Sequence, residues 1–281
     1  NGQDLDREEY TQDVIQKSKV LHKKINDKNV KLSSYYAIIK FDGDSMGDAF
    51  RILETPEEQQ KLSEKISCFA HKAPKIISSY QGQPVFAGGE DFLGFLPLDG
   101  LFDCIAELHE NFLEQIGLSF SAGISIGHLM QPLKEVMEYV DAAEAAAKRM
   151  PGKNAAAVNI MKRSGDIVKM PPYKLSGDDA LIQWKHLGEI VQMLKNSQCS
   201  KSLFFNITNL MKHFLEENVK PEESMAAALL KDCVVRSAME DKQINKEQLL
   251  EKLMHFYRHA DNMGEFLNTL DGIVFISREV I

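Results

Sequence analysis

Residues 34–47 read Ser-Tyr-Tyr-Ala-Ile-Ile-Lys-Phe-Asp-Gly-Asp-Ser-Met-Gly, a near-continuous apolar, β-prone run that stops on an acidic turn. The part from 34 to 42 has the character of a strand covered on both faces. The turn leaves Asp42 and Asp44 at the strand's end, and Ser45-Met46-Gly47 opens a helix whose first N–H groups have no intrahelical partner. A second acidic turn, Ala87-Gly88-Gly89-Glu90-Asp91-Phe92, separates the short apolar runs 83–87 and 92–96. That spacing predicts a hairpin, with glycines supplying positive φ.

Outward from these turns, apolar residues at helical spacing predict helices over 57–80, 101–116 and 132–150. Pro74 is expected to kink or divide the first of them. Residues 118–127 alternate as a strand, Pro151-Gly152 stops the alanine-rich third helix, and 155–161 forms a further strand. This order predicts an α+β domain over 34–162 with a mainly antiparallel, ferredoxin-like sheet. Residues 163–177, rich in Gly, Pro and Ser, read as a linker. Beyond it, 178–281 carries helical patterns at 179–195, 201–217, 222–240, 245–259 and 262–278, an all-α bundle of ordinary domain size. Ahead of the first strand, 1–33 reads as a helix over 5–28 with a thin apolar stripe, followed by a linker.

The 281 residues suffice for one large domain or two ordinary ones, and 44% apolar with 26% charged residues is a soluble globular balance. No apolar run approaches the roughly 20 residues of a membrane span, and the N-terminal residues are neither basic nor apolar as a signal peptide would be. Cys68, Cys104, Cys199 and Cys233 are far apart and form no C-x-x-C, which fits isolated thiols in a reducing cytoplasm. The net charge of −8 argues against a domain that holds nucleic acid by its own field. His255 and His259 are four apart on a predicted helix but complete no recognised metal pattern, and no H-E-x-x-H, Ser/His/Asp set, Walker loop or dinucleotide fingerprint is present.

The chemistry therefore rests on carboxylates. Asp42 and Asp44 alone would pass for an ordinary Asp-Gly turn. Glu90 and Asp91 change the balance, because adjacent like charges in a hairpin that needs only its glycines cost energy unless a cation offsets them. If the two strands are neighbours, Asp42 and Asp91 converge. Oxygen ligands of this kind suit Mg²⁺ or Mn²⁺ held by one or two carboxylates and substrate phosphates, and two such ions clamp a phosphoryl displacement. In Asp141–Asn154 the small residues allow close packing on the sheet, and Lys148 and Lys153 reach toward polyphosphate oxygens as point charges. The plainer alternative is a helix C-terminus with cations complementing its dipole. Ser45-Met46-Gly47 suits phosphate at a helix N-terminus, or Ser45 serves as an N-cap.

Taken together, Tyr36–Gly47, Val85–Leu98, Ser121–Leu133 and Asp141–Ala156 resemble the nucleotidyl cyclase and polymerase palm group, which includes the GGDEF diguanylate cyclases. The closer resemblance is to the large, polymerase-like subunit of type III CRISPR effector complexes, especially the Cmr-type, and the tail ending in Phe266–Glu279 resembles that family's C-terminal helical domain. The resemblance implies a palm that makes cyclic oligoadenylate from ATP once a complex of effector subunits and crRNA has bound target RNA. It implies Asp42, Glu90 and Asp91 as catalytic and metal-holding residues. Gly43, Asp44, Ser45, Met46, Gly47, Gly88 and Gly89 would then line the triphosphate, with Lys148 and Lys153 neutralising it. The family's usual G-G-D-D is here Gly88-Gly89-Glu90-Asp91, which moves one carboxylate by a methylene. No HD nuclease motif, first palm or zinc-binding cysteine set is present, so no nuclease activity is expected. Three alternatives stay open: conjugation of ATP with S-adenosylmethionine, as some relatives are thought to perform; a silent palm serving as scaffold or nucleotide-binding module; and a GTP-using diguanylate cyclase, against which the order G-G-E-D and the helical tail both count.

Overall fold

The computed structural model describes residues 33–177, 183–237 and 245–280, together with isolated positions 12, 15, 16 and 19. Apart from those four positions, the helix expected over 5–28 lies outside the described residues.

The sheet is built around β1 (Tyr35–Gly43), which pairs antiparallel with β3 (Asp91–Leu96) on one side and β4 (Phe120–His128) on the other. β2 (Gln83–Gly88) forms the hairpin with β3, giving the order β2-β3-β1-β4. Between β1 and β2 run α1 (Met46–Ile52) and α2 (Pro56–Ser79), and α3 (Leu101–Ile116) joins β3 to β4. This is the ferredoxin-like arrangement, extended by α4 (Leu133–Arg149) and by β5 (Ala155–Met161), which pairs parallel to β4. The helix α2 starts at a capping box between Thr55 and Glu58 with Pro56 in its first turn. It runs undivided through Pro74, whose carbonyl accepts from the Ser78 hydroxyl (2.8 Å).

The strand periodicity of two sends alternate residues of β1 to opposite faces. Ala37, Ile39 and Phe41 enter the large core shared with α2 and α3, whereas Ile38 packs with Val136 and Val140 of α4. The helix α4 lies very close to the sheet. A methyl group at Gly123 of β4 would stand 2.3 Å from both the Val140 carbonyl oxygen and the Glu144 nitrogen, so only glycine fits.

The segment 163–177, expected as a linker, instead adds β6 (Ile167–Lys169) and β7 (Tyr173–Lys174), both antiparallel to β5. Strands of three and two residues show no periodicity in sequence; they form because the far edge of β5 offers unpaired backbone groups. The helices that follow are α5 (Gln183–Lys195), α6 (Lys201–Glu216), α7 (Glu223–Ser237), α8 (Lys246–His259) and α9 (Met263–Glu279). They are continuous with the sheet domain, and Ser34–Val280 forms one compact unit. The Trp184 indole N–H of α5 donates to the Phe102 carbonyl of α3 (3.1 Å), Thr269 of α9 hydrogen-bonds Tyr173, and Gly272 of α9 lies against Met170. Among the described residues no helix is long and apolar enough to cross a membrane.

Candidate active site

The two acidic turns meet. In the β1/β3 ladder Phe41 lies opposite Phe92, so Asp42 and Asp91 are the next pair along, at the end of both strands. The turn between β2 and β3 is closed by Gly89 in the left-handed region (φ 63°), and a methyl group there would meet nothing within 4 Å. Gly43 does the opposite. A side chain on it would stand 2.9 Å from the Glu90 β-carbon and 2.7 Å from Met46, so its absence lets the second turn close over the first.

The Asp42 and Asp91 carboxyl groups lie close enough to perturb each other's ionisation, because two like charges side by side disfavour the doubly ionised pair. Burial, the hydrogen bond to Asp42 and the charges of Asp42 and Glu90 push Asp91 up to about 6. Burial also works against ionisation of Asp42. The hydrogen bond from Asp91, the Lys148 ammonium and the field of Lys153 outweigh it and hold Asp42 below its ordinary range. Lys148 Nζ stands 2.7 Å from Asp42 Oδ2 and 2.6 Å from Glu144 Oε1. Lys40, two residues before Asp42 on the same face of β1, stands 2.9 Å from Glu144 Oε2 and 2.8 Å from Asp141 Oδ1. Charges of alternating sign thus run Asp141, Lys40, Glu144, Lys148, Asp42 along the contact of α4 with β1. Neither Lys40 nor Glu144 was singled out by the sequence; the available signal was a lysine inside an otherwise apolar strand, in step with Asp42.

Asp44 goes elsewhere. Expected at the triphosphate, it is 6% exposed and accepts from Ser119 Oγ (2.7 Å), Ser121 Oγ (2.8 Å) and the Asn154 N–H (2.9 Å), while its own N–H donates to the Ser119 carbonyl (2.8 Å). Its carboxylate is a staple that ties the end of β1 to β4 and to the turn before β5. The Met46 side chain is likewise buried in the core, leaving only its backbone on the loop. Ser45 is left-handed (φ 57°) and exposed, and its side chain makes no capping hydrogen bond. Gly47 is exposed beside open space, and Gly88 packs against the Phe86 ring. Lys153 is left-handed (φ 49°) in the turn after α4, and among the described residues it makes no ion pair. Lys174 of β7 steadies that turn by donating to the carbonyls of Pro151 (2.7 Å) and Lys153 (2.5 Å). By sequence pattern alone Lys174 falls in the linker expected over 163–177.

Among the described residues no three His, Cys, Asp or Glu side chains form a ready-made metal shell. The donor set nevertheless fits a hard divalent cation. Asp42 and Asp91 present oxygens at one point, Glu90 adds charge beside them, and a cation there would offset the repulsion that holds Asp91 up.

Residues 35–157 match the family described as Cas10/Cmr2, second palm domain. This region resembles a Cas10/Cmr2 second palm. The chain is 25% identical over 248 residues to the CRISPR system Cmr subunit Cmr2 of Pyrococcus furiosus, a match covering 76% of this chain and 26% of that protein. It superposes on a chain of an apo type III-B Cmr-beta assembly with a TM-score of 0.59 at 13% identity, covering 92% of this chain and 40% of the other. A Csm1–Csm4 cassette in complex with cA4 gives 0.52 at 16% identity, with coverage of 86% and 36%. The chain therefore spans about a quarter of the curated relative's length. The palm match contains Asp42, Glu90, Asp91, Lys148 and Lys153.

Proposed function

We propose that the palm is a metal-dependent nucleotidyltransferase that joins ATP into cyclic oligoadenylate within a type III CRISPR effector assembly. The observation that carries this reading is the Asp42–Asp91 pair brought together at the ends of β1 and β3 and flanked by Lys148, in a region that matches the Cas10/Cmr2 second palm. Csm1–Csm4 cassettes of the same fold in complexes with pppApApA, cA4 and AMPPNP support adenylate chemistry. The Cmr2 relative, and a matching chain from a Cmr-beta assembly bound to cognate target RNA, support other effector subunits and RNA as partners.

In this reading the 3′-hydroxyl oxygen of one ATP bonds to the α-phosphorus of another. The α–β phosphoanhydride bond breaks, pyrophosphate leaves and the hydroxyl proton is released. Asp42 and Asp91 would hold Mg²⁺ or Mn²⁺ with Glu90 beside them; when bound, the metal supplies Lewis-acid polarisation of the phosphate and a lower hydroxyl pKa. Lys148 and Lys153 offset the phosphate charge, and the exposed backbone at Ser45 and Gly47 leaves room for the triphosphate. Catalysis is then positioning and electrostatics.

The test is incubation of the full-length subunit, in its complex with cognate RNA, with Mg²⁺ and labelled ATP, alone and with S-adenosylmethionine, resolving products by mass. Oligoadenylate from ATP alone, lost in Asp42→Ala and Asp91→Ala, is the expected result. A product that requires the cosubstrate moves the answer to conjugation, and neither product nor nucleotide binding moves it to a scaffold.

A further inference from the structure

The charge ladder on α4 contains a cation whose position the transfer chemistry does not explain. Lys40 points from β1 toward α4 and touches neither acidic turn. Its partner Glu144 has a side chain only 9% exposed, and each of its oxygens holds a different lysine, Oε1 Lys148 and Oε2 Lys40. The Glu144 backbone is fixed by its close approach to Gly123. Lys148 meanwhile lies against Asp42, one of the oxygens a divalent cation would need. For a metal–polyphosphate to enter, Lys148 must let go of Asp42 and turn toward the phosphates. Glu144 then loses a counter-ion. A buried carboxylate left without any partner is strongly unfavourable, and the second lysine prevents that outcome.

We propose that Lys40 is a positioning residue: by neutralising Glu144 from the far side, it frees Lys148 to exchange Asp42 for an arriving polyphosphate. The inference rests on the reading that Lys148 meets phosphate, and it adds a role for two residues that touch no ligand. Without Lys40, Lys148 is the one cation left on Glu144 among the described residues, and Glu144 holds it back. Asp141, exposed on the outer side of Lys40, keeps the ammonium at the end of the ladder. The sequence contrast fits this role, since 34–39 is otherwise apolar or small and Lys40 is the first charge before Asp42.

The experiment measures binding of Mg²⁺ with inorganic triphosphate to the full chain by calorimetry, together with amine labelling of Lys148 in the ligand-free protein, read by mass spectrometry. Lys40→Met is expected to weaken triphosphate binding by about tenfold and to reduce Lys148 labelling. The double variant Lys40→Met with Glu144→Gln removes both charges, leaves no stranded ion, and is expected to return binding to within about twofold of wild type. That rescue separates charge release from simple damage to the fold, and equal melting temperatures of the double variant and wild type check the fold directly. Wild-type binding in Lys40→Met, or a double variant as weak as the single one, overturns the proposal. The polyphosphate reading is tested by its own arm. If Lys148→Met binds triphosphate as wild type does, that reading fails as well, whereas loss in Lys148→Met with no effect of Lys40→Met removes only the role of Lys40.

Discussion

One strand carries two chemistries. On one face of β1, Phe41 is 1% exposed and stacked between Phe92 (centroids 5.1 Å apart) and Phe120 (4.2 Å). On the other, Lys40 and Asp42 enter a line of alternating charges along α4. Neighbouring residues are separated in function because the pleat turns each one to the opposite side. The difference shows how a site of like charges is kept in place. Apolar stacking beneath the strand supplies the stability, and the charged face spends part of it by holding Asp42 beside Asp91.

Substitutions at adjacent positions should therefore fail in different ways. Asp42→Asn is expected to lower nucleotidyl transfer by about a thousandfold or more while the protein stays folded, checked by product mass and a parallel melt. Phe41→Ala, one residue away, is expected to cost about 3–5 kcal/mol of stability in urea denaturation through the cavity left between the two rings. Asp44→Ala should fall between these extremes. It strands the donors of Ser119, Ser121 and Asn154, and we expect a loss of about 3 kcal/mol with a fall in activity as the turn drifts. Equal activity in that variant would show that the staple does not set the position of Asp42.

The smallest effect has a definite sign with pH. Asp91 is raised from 3.8 to about 6 in the folded, metal-free protein. Across that interval the folded state holds more protons than the unfolded one, so this group's contribution to stability falls as pH rises and stays low above about 6. Asp91→Asn should therefore raise the melting temperature of the metal-free protein at pH 7–8, with the gain vanishing near pH 4. The same group must ionise to hold a cation, so Mg²⁺ binding followed by calorimetry should weaken as pH drops below about 6.

Much of this organisation was legible in the residues. The apolar run into Asp42, the glycines before Glu90 and Asp91, and the alanines of α4 are local signals, and local signals survive in a single sequence. What could not be read depends on partners distant along the chain. Asp44 reads in sequence as part of the triphosphate loop, and its true partners, Ser119, Ser121 and Asn154, lie more than 70 residues away. β6 and β7 had no pattern of their own because their stability comes from the edge of β5. Lys40 and Glu144 are 104 positions apart, and only the packing of α4 on β1 reveals them as a pair.

The grip of Lys174 on the turn of Pro151 and Lys153 has a consequence for the chain's tolerance of length change. Between Met161 and Tyr173 the chain must leave β5, return along its edge and deliver one ammonium group to two particular carbonyl oxygens. Residues inserted at the exposed Ser164-Gly165 bend would only enlarge a surface turn. An insertion between Lys169 and Tyr173 would slide Lys174 off its carbonyls and leave Lys153 to wander. This stretch of composition typical of a flexible connector is, at its second half, of fixed gauge.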